Sequence, residues 1–310
     1  MTEYRATESR RRRGVETWRQ IKPGITLRKK RHLVVSEKSL TFWAVLTSIA
    51  LLLWTVSAPP SAMTLNPPVE AAKAPPEIYR LHLAVDIPVS IVGGALGLAR
   101  EIWRDDLARK TCPCNPASLN ALDRLAVGNH SRAADLTASI TAWGLLGVLP
   151  ALDLIDVGAN RAFVEDFVVF AETVAVDTGL QNIVNFAVGR PRPLAYAGDP
   201  AYLNSGEGYL SFYAGHVATT FSAMAVGAFT VSRRHGARVW PWLATLVVGG
   251  SVAVERVLSG HHFPTDVGAA AVVGTTIGIA IPWLHLAESS SPVTIGPSTL
   301  GPGLALGGRF

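Results

Sequence analysis

Five apolar runs follow one another in this chain with only short polar breaks: Ala134 to Ile155, Ala162 to Val188, Gly215 to Val231, Val239 to Val257 and Thr265 to Leu286. A helix of about 20 apolar residues crosses the hydrocarbon of a bilayer. In lipid every backbone polar group must be satisfied within the chain, which leaves helices as the form such runs can take. Leu40 to Ala58 (LTFWAVLTSIALLLWTVSA) is a further run and carries no charge. With 49% hydrophobic and only 16% charged residues, the expected fold is an all-α, polytopic membrane helix bundle of about six spans.

The net charge of +5 and the pI near 9.4 do not indicate nucleic acid. The basic residues cluster ahead of the first run, as Arg10-Arg11-Arg12-Arg13 and Arg28-Lys29-Lys30-Arg31, with no aromatic-basic interleaving. Such a block holds the N-terminus in the cytoplasm. Arg233, Arg234, His235 and Arg238 mark one short turn as cytoplasmic by the same rule. Leu81 to Ala99 is broken by Asp86, Pro88 and Gly93-Gly94 and reads as an interfacial helix, because an odd number of crossings must precede Arg190. The expected organisation is a basic cytoplasmic segment at 1–38, a first span at 39–58 and an exoplasmic insertion with the interfacial helix at 59–133. A helix bundle at 134–286 and a flexible tail or short hairpin at 287–310 complete it. The first span reads as an uncleaved anchor, since the charged region ahead of it is longer than a signal peptide carries. Cys112 and Cys114 are too close for an unstrained disulfide and too few for a zinc site, so they read as incidental thiols or one strained bridge.

Three polar motifs sit at the ends of the apolar runs. Gly189-Arg190-Pro191-Arg192-Pro193 stops a helix and turns guanidinium groups, which stay charged and donate paired hydrogen bonds, toward an anion. In Tyr213-Ala214-Gly215-His216, the glycine opens a helix whose first N–H groups can receive a phosphate oxygen, and the histidine can protonate a leaving alkoxide. In the third, Arg256 is followed by His262 and Asp266. The four-residue spacing of the last two puts them on one helix face, where the carboxylate can accept one ring N–H and leave the other nitrogen free to attack. Glu172, Asp177 and Glu255 are expected to pair with the arginines, because a lone charge at membrane depth is costly.

These motifs resemble those of the type 2 phosphatidic acid phosphatase superfamily, integral membrane phosphatases that share their site with vanadium-dependent haloperoxidases. The family pattern is K-x6-R-P, P-S-G-H and S-R-x5-H-x3-D. Arg192-Pro193, Gly215-His216, Arg256, His262 and Asp266 match it in identity, order and spacing. Asn185 stands where the family has lysine, Ala214 and Tyr213 replace serine and proline, and Glu255 replaces the second serine. The resemblance covers about Ala134 to Leu286. It implies that His262 is the nucleophile, Asp266 orients it and His216 protonates the leaving oxygen. Arg192, Arg256 and the Gly215 amide would hold the phosphoryl oxygens, with Arg190 available to compensate for the degenerate positions Asn185 and Ala214. It implies no metal and no cofactor, a membrane lipid phosphate or diphosphate as substrate, no nucleic-acid partner, and a site on the exoplasmic (periplasmic) face of the inner or plasma membrane. A lipid phosphotransferase or a non-catalytic lipid-phosphate binder on the same fold are the alternatives.

Overall fold

The computed structural model describes residues 77–287 and two terminal strands. The basic N-terminal segment, the run Leu40 to Ala58 and the Pro-rich linker after it lie outside the described residues. Six long helices form the bundle: α1 (Leu83–Leu107), α2 (Arg132–Val157), α3 (Arg161–Val188), α4 (Gly215–His235), α5 (Trp240–Leu258) and α6 (Pro264–Leu284). In the tail, β1 (Val293–Pro297) pairs antiparallel with β2 (Leu304–Gly308), the hairpin form of the two expected there.

Among the described residues, five helical segments are long and apolar enough to cross a membrane: Leu83–Leu107, Arg132–Val157, Arg161–Tyr196, Trp240–Leu258 and Pro264–Leu284. The protein is therefore an integral membrane helix bundle. Outward-facing Ile91, Leu98, Ile140, Leu246 and Val272 are exposed, as side chains meeting lipid tails would be. α4 falls outside that set because Thr219, Thr220, Ser222 and Thr230 dilute it, yet it packs against α2, α3, α5 and α6. The hydroxyls of Thr220, Ser222 and Thr230 bond back to carbonyls of the same helix, Thr220 Oγ1 to His216 O at 2.7 Å and Thr230 Oγ1 to Val226 O at 2.9 Å. Small residues let it approach its neighbours. A Cβ on Gly274 of α6 would stand 2.4 Å from the Ala218 carbonyl oxygen of α4.

The segment expected to be an interfacial helix is one continuous helix packed along α3, long and apolar enough to cross a membrane. Its N-terminal end meets the end of α6, where the Arg80 N–H donates to His285 O at 2.7 Å. Its C-terminal end meets the connection after α3, through Arg100 and Glu207. Two features that read as breaks in the sequence are contacts. Asp86 is buried against His285, and Gly93 is where α1 touches α3, with a Cβ there only 2.3 Å from the Ala175 carbonyl oxygen. The helix-breaking residues are thus a packing seam.

The helices alternate in direction, so the three connections at one end, 108–131, 189–214 and 259–263, carry or touch all three motifs. Cys112 and Cys114 are joined by a disulfide in the first of these. At the far end Arg234 pairs with Asp166, and His235 Nε2 lies 2.7 Å from Asp156. A cavity of about 610 Å³ opens there among Leu149, Phe170, Met224 and Trp240. It is not the site of the motifs, and its polar lining of Asp153, Asp156 and Asp166 would repel an anion.

The seam between α4 and α6 yields a prediction. Gly274→Leu should force the two helices apart and cost about 1–3 kcal/mol of stability, as overpacking does, read as a lower thermal midpoint in detergent. An unchanged midpoint would contradict the packing described.

Candidate active site

Gly189 ends α3 in the left-handed conformation at φ 59°, a geometry glycine adopts without strain, and the prolines after it hold the chain extended across the helix ends. Arg190 and Arg192 leave this segment in different directions. Arg192 is buried at 3% exposure and pairs with Glu207, which also takes two hydrogen bonds of 3.0 Å from Arg100 Nη2 and lies 3.6 Å from Arg104. Burial pushes the Glu207 carboxyl up, but Arg192, Arg100 and Arg104 outweigh it and hold the group below its usual range.

Arg190 goes the other way. One of its Nη atoms pairs with Asp266 and the other with Asp123 at 2.7 Å, while its guanidinium carbon lies 4.2 Å from the centre of the Phe263 ring. Asp123 also accepts from Thr265 N and Oγ1, at 3.1 and 2.9 Å. The Arg190 ion pairs thereby tie the 108–131 connection to the start of α6. This is a support for Asp266 and not the phosphate contact expected of Arg190.

His262 is 2% exposed in the tight turn between α5 and α6, where Gly260 at φ 74° lets the backbone reverse close to Asn129. Its Nδ1 lies 2.7 Å from the Ser211 carbonyl oxygen, which can only accept, so Nδ1 carries the hydrogen. Burial, then the charges of Arg192 and Arg256, hold the ring well below its ordinary pKa. A neutral ring with its hydrogen on Nδ1 has its lone pair on Nε2. Asp266 is not the direct partner that the spacing suggested: its Oδ2 stands 4.0 Å from Nδ1. It acts one bond away, accepting from Ser211 Oγ at 2.6 Å and from Phe263 N at 3.0 Å, the reach-back of an N3 carboxylate to the helix cap.

Arg256, 3% exposed, pairs with Asp135 of α2 and not with its neighbour Glu255. Its charge and that of Arg192 reach all three of His216, His261 and His262. His261 is engaged by Tyr202 OH at 2.7 Å, and burial with the same two arginines drives its pKa to about 2. His216, at the start of α4, has Nε2 3.3 Å from Ser139 Oγ and its ring edge-on to Trp143. The Nε atoms of Arg100, Arg192 and Arg256 are all buried without a hydrogen-bond partner among the described residues. Buried charged donors left unpaired are costly, and these three could be met by the oxygens of an anion.

The degenerate positions have other work. Asn185 is fully buried and donates to Tyr213 O at 3.2 Å and to Gln181 O at 2.9 Å, so it braces the turn before α4 from behind. Ala214 is the cap of α4 with no side-chain hydrogen bond, which leaves the first-turn N–H groups to the site. Gly215 lies against the Gln181 amide, 3.1 Å from where its Cβ would be. Glu172 and Asp177 do not reach the arginines. Glu172 contacts His285, and Asp177 lies 3.5 Å from Thr219 Oγ1.

Sequence reasoning missed Arg100, Asp123, Asp135, Glu207 and Ser211. Glu207 carried a signal, an acid between two glycines beside an arginine motif. Ser211 contributes a backbone carbonyl, which no residue type advertises.

Because its folded pKa is depressed, Glu207 contributes stability that is present above the ordinary value of 4.5 and is lost as pH falls through the lower folded value. Glu207→Gln should therefore lower the thermal midpoint at pH 7, by on the order of 1–3 kcal/mol for the unpaired arginines. The gap from wild type should close in acid below pH 4.5, and a gap independent of pH would contradict the assignment.

No curated protein matches the chain. The family described as the PAP2 superfamily matches residues 166–289, the stretch that holds Arg192, His216, Arg256, His262 and Asp266. Motif identity, motif spacing and this match agree in supporting membership of the PAP2 superfamily of type 2 phosphatidic acid phosphatases, whose members are generally phosphatases acting on phosphate esters.

Proposed function

We propose that the protein is a membrane phosphatase that hydrolyses a lipid phosphate or lipid diphosphate through a phosphohistidine on His262, with no metal in the step. One observation carries this reading: a neutral, buried imidazole with its lone pair on Nε2 lies within the field of two buried arginines that each keep an unpartnered N–H. Nε2 forms a bond to phosphorus as the bond to the lipid oxygen breaks, and His216, which takes up a proton once the bound phosphate offsets the arginine charges around it, delivers that proton to the departing oxygen. Water then attacks the phosphohistidine, giving its proton back to His216 and releasing inorganic phosphate. Arg192, Arg256 and the first-turn N–H groups at Gly215 hold the phosphoryl oxygens as charge spreads over them. Asp266 positions His262 through Ser211, and Arg190 positions Asp266.

In this reading Arg100 supplies the cation that the family draws from the position of Asn185. It comes from α1, outside the matched stretch, and its charge reaches His216. The loss of the lysine and of the serine hydroxyl at Ala214 is what favours the second reading, a non-catalytic lipid-phosphate binder on the same bundle.

For topology, all six helices cross, with α1 as a span in place of the interfacial segment. Arg233, Arg234 and Arg238 put the far end in the cytoplasm. The site end is then exoplasmic, where the Cys112–Cys114 bridge suits an oxidising compartment. Glu77 and Ala287 both come to the cytoplasmic face, which is incompatible with the expected pairing of a cytoplasmic N-terminus and a single span between it and an exoplasmic insertion at 59–133.

Purified full-length protein should release phosphate from short-chain phosphatidic acid or an isoprenyl diphosphate, and His262→Ala should reduce the rate by at least about 10³-fold. Release that survives this substitution would overturn the nucleophile, and no release by wild type from any lipid phosphate that it binds would establish the binder. Arg100→Gln should cost about 100-fold in kcat, as loss of one oxyanion donor does. Wild-type kcat in that variant would remove Arg100 from the phosphate cradle.

A further inference from the structure

At the end of the bundle opposite the candidate active site, three buried side chains from separate helices face one another. Asp86 lies in the first turn of α1, Glu172 lies within α3, and His285 caps the end of α6. His285 Nε2 is 3.3 Å from Asp86 Oδ1 and 3.2 Å from Glu172 Oε2, and one donor atom from each residue falls within 4.8 Å of the other two.

The remaining atoms of two members are already committed. His285 Nδ1 lies 2.9 Å from the Ile281 carbonyl oxygen, so it carries a hydrogen and leaves the Nε2 lone pair aimed at the carboxylates. The His82 N–H donates to Asp86 Oδ2 at 2.6 Å, which leaves Oδ1 turned inward. Glu172 Oε2 is buried, on a residue only 5% exposed, and makes no hydrogen bond, with His285 Nε2 3.2 Å away as its close polar neighbour. Among the described residues no lysine or arginine pairs with Asp86 or Glu172, although two carboxylates inside an apolar bundle need compensation.

The geometry points to a binding site for one divalent transition-metal ion of the Zn²⁺ class, held by Asp86, Glu172 and His285. With metal–ligand bonds of about 2.0–2.1 Å, the edge of a tetrahedron is about 3.3 Å, which the two His285 separations reproduce. One imidazole with two carboxylates suits Zn²⁺ or its neighbours better than Mg²⁺ or Ca²⁺, which take oxygen ligands. A divalent ion also neutralises the two carboxylates, which no lysine or arginine among the described residues offsets. A cleft of about 770 Å³ lies at this end, lined by Glu77, Arg80, Leu83, Arg161, Glu165 and Ala287, with Glu165 two helical turns before Glu172 on one face of α3. The ion would pin the start of α1 to α3 and to the end of α6, beside the backbone bonds Arg80 N–H to His285 O and Ala287 N–H to Ile78 O. It is a structural clamp far from the phosphoryl chemistry.

The test uses full-length protein purified through a histidine-free tag, stripped with chelator, reloaded with Zn²⁺ or Co²⁺ and desalted. Wild type should retain about one ion per chain, show the visible absorption of tetrahedral Co²⁺ and melt at a higher temperature when loaded. Glu172→Gln preserves shape, and it should weaken binding on the order of 100-fold or more and remove the Co²⁺ band. His285→Gln should do the same, and Glu172→Gln serves if that variant fails to fold. Equal metal content in wild type and Glu172→Gln, including none in either, would overturn the site and leave His285 as a protonated bridge between the carboxylates.

Discussion

The carboxylate of Asp266 is the knot of the site end. It is fully buried and takes a charge-assisted bond from Arg190, a hydroxyl bond from Ser211 and a backbone bond from Phe263. Through these it joins the connection after α3 to the start of α6, and through Arg190 and Asp123 it reaches the loop after α1. Ser211 then offers its carbonyl to His262. The nucleophile is aimed by a loop, and the loop is held by the carboxylate. These donors offset part of the cost of burying that charge, a cost that a lone carboxylate would bear in full.

Around this knot the charges are arranged in two shells of unequal strength. Arg100, Arg104 and Arg192 share Glu207, and Arg256 has Asp135, so the arginines outnumber the acids that face them. The surplus is positive, buried and short of acceptors, which suits an anion with several oxygens. The same surplus keeps His262 neutral, since a protonated ring would be one more cation among them. Anion binding and nucleophile activation thus have one electrostatic cause.

Much of this was legible in the sequence, because periodic apolar runs and motifs at their ends are local signals. The helices after Arg132, the place of Arg192 and Arg256, and the gathering of the motifs at one end follow from them. What escaped was non-local. Asp86, Pro88 and Gly93-Gly94 read as breaks in a helix until α3 and His285 are set beside them. Arg100 lies outside the motif region and reaches the site only because α1 runs the full length of α3. The four-residue spacing of His262 and Asp266 correctly put the two together but could not show that a carbonyl from Ser211 would come between them.

The central claim is that Nε2 of His262 meets phosphorus in a cup made by Arg192 and Arg256. A structure of the protein with vanadate, which adopts the five-coordinate geometry of the transferring phosphoryl group, tests it most directly. The account predicts vanadium bonded to His262 Nε2, with Arg192 and Arg256 on its equatorial oxygens and His216 facing the apical oxygen opposite. Vanadium bound to His261, or held away from both arginines, would contradict it.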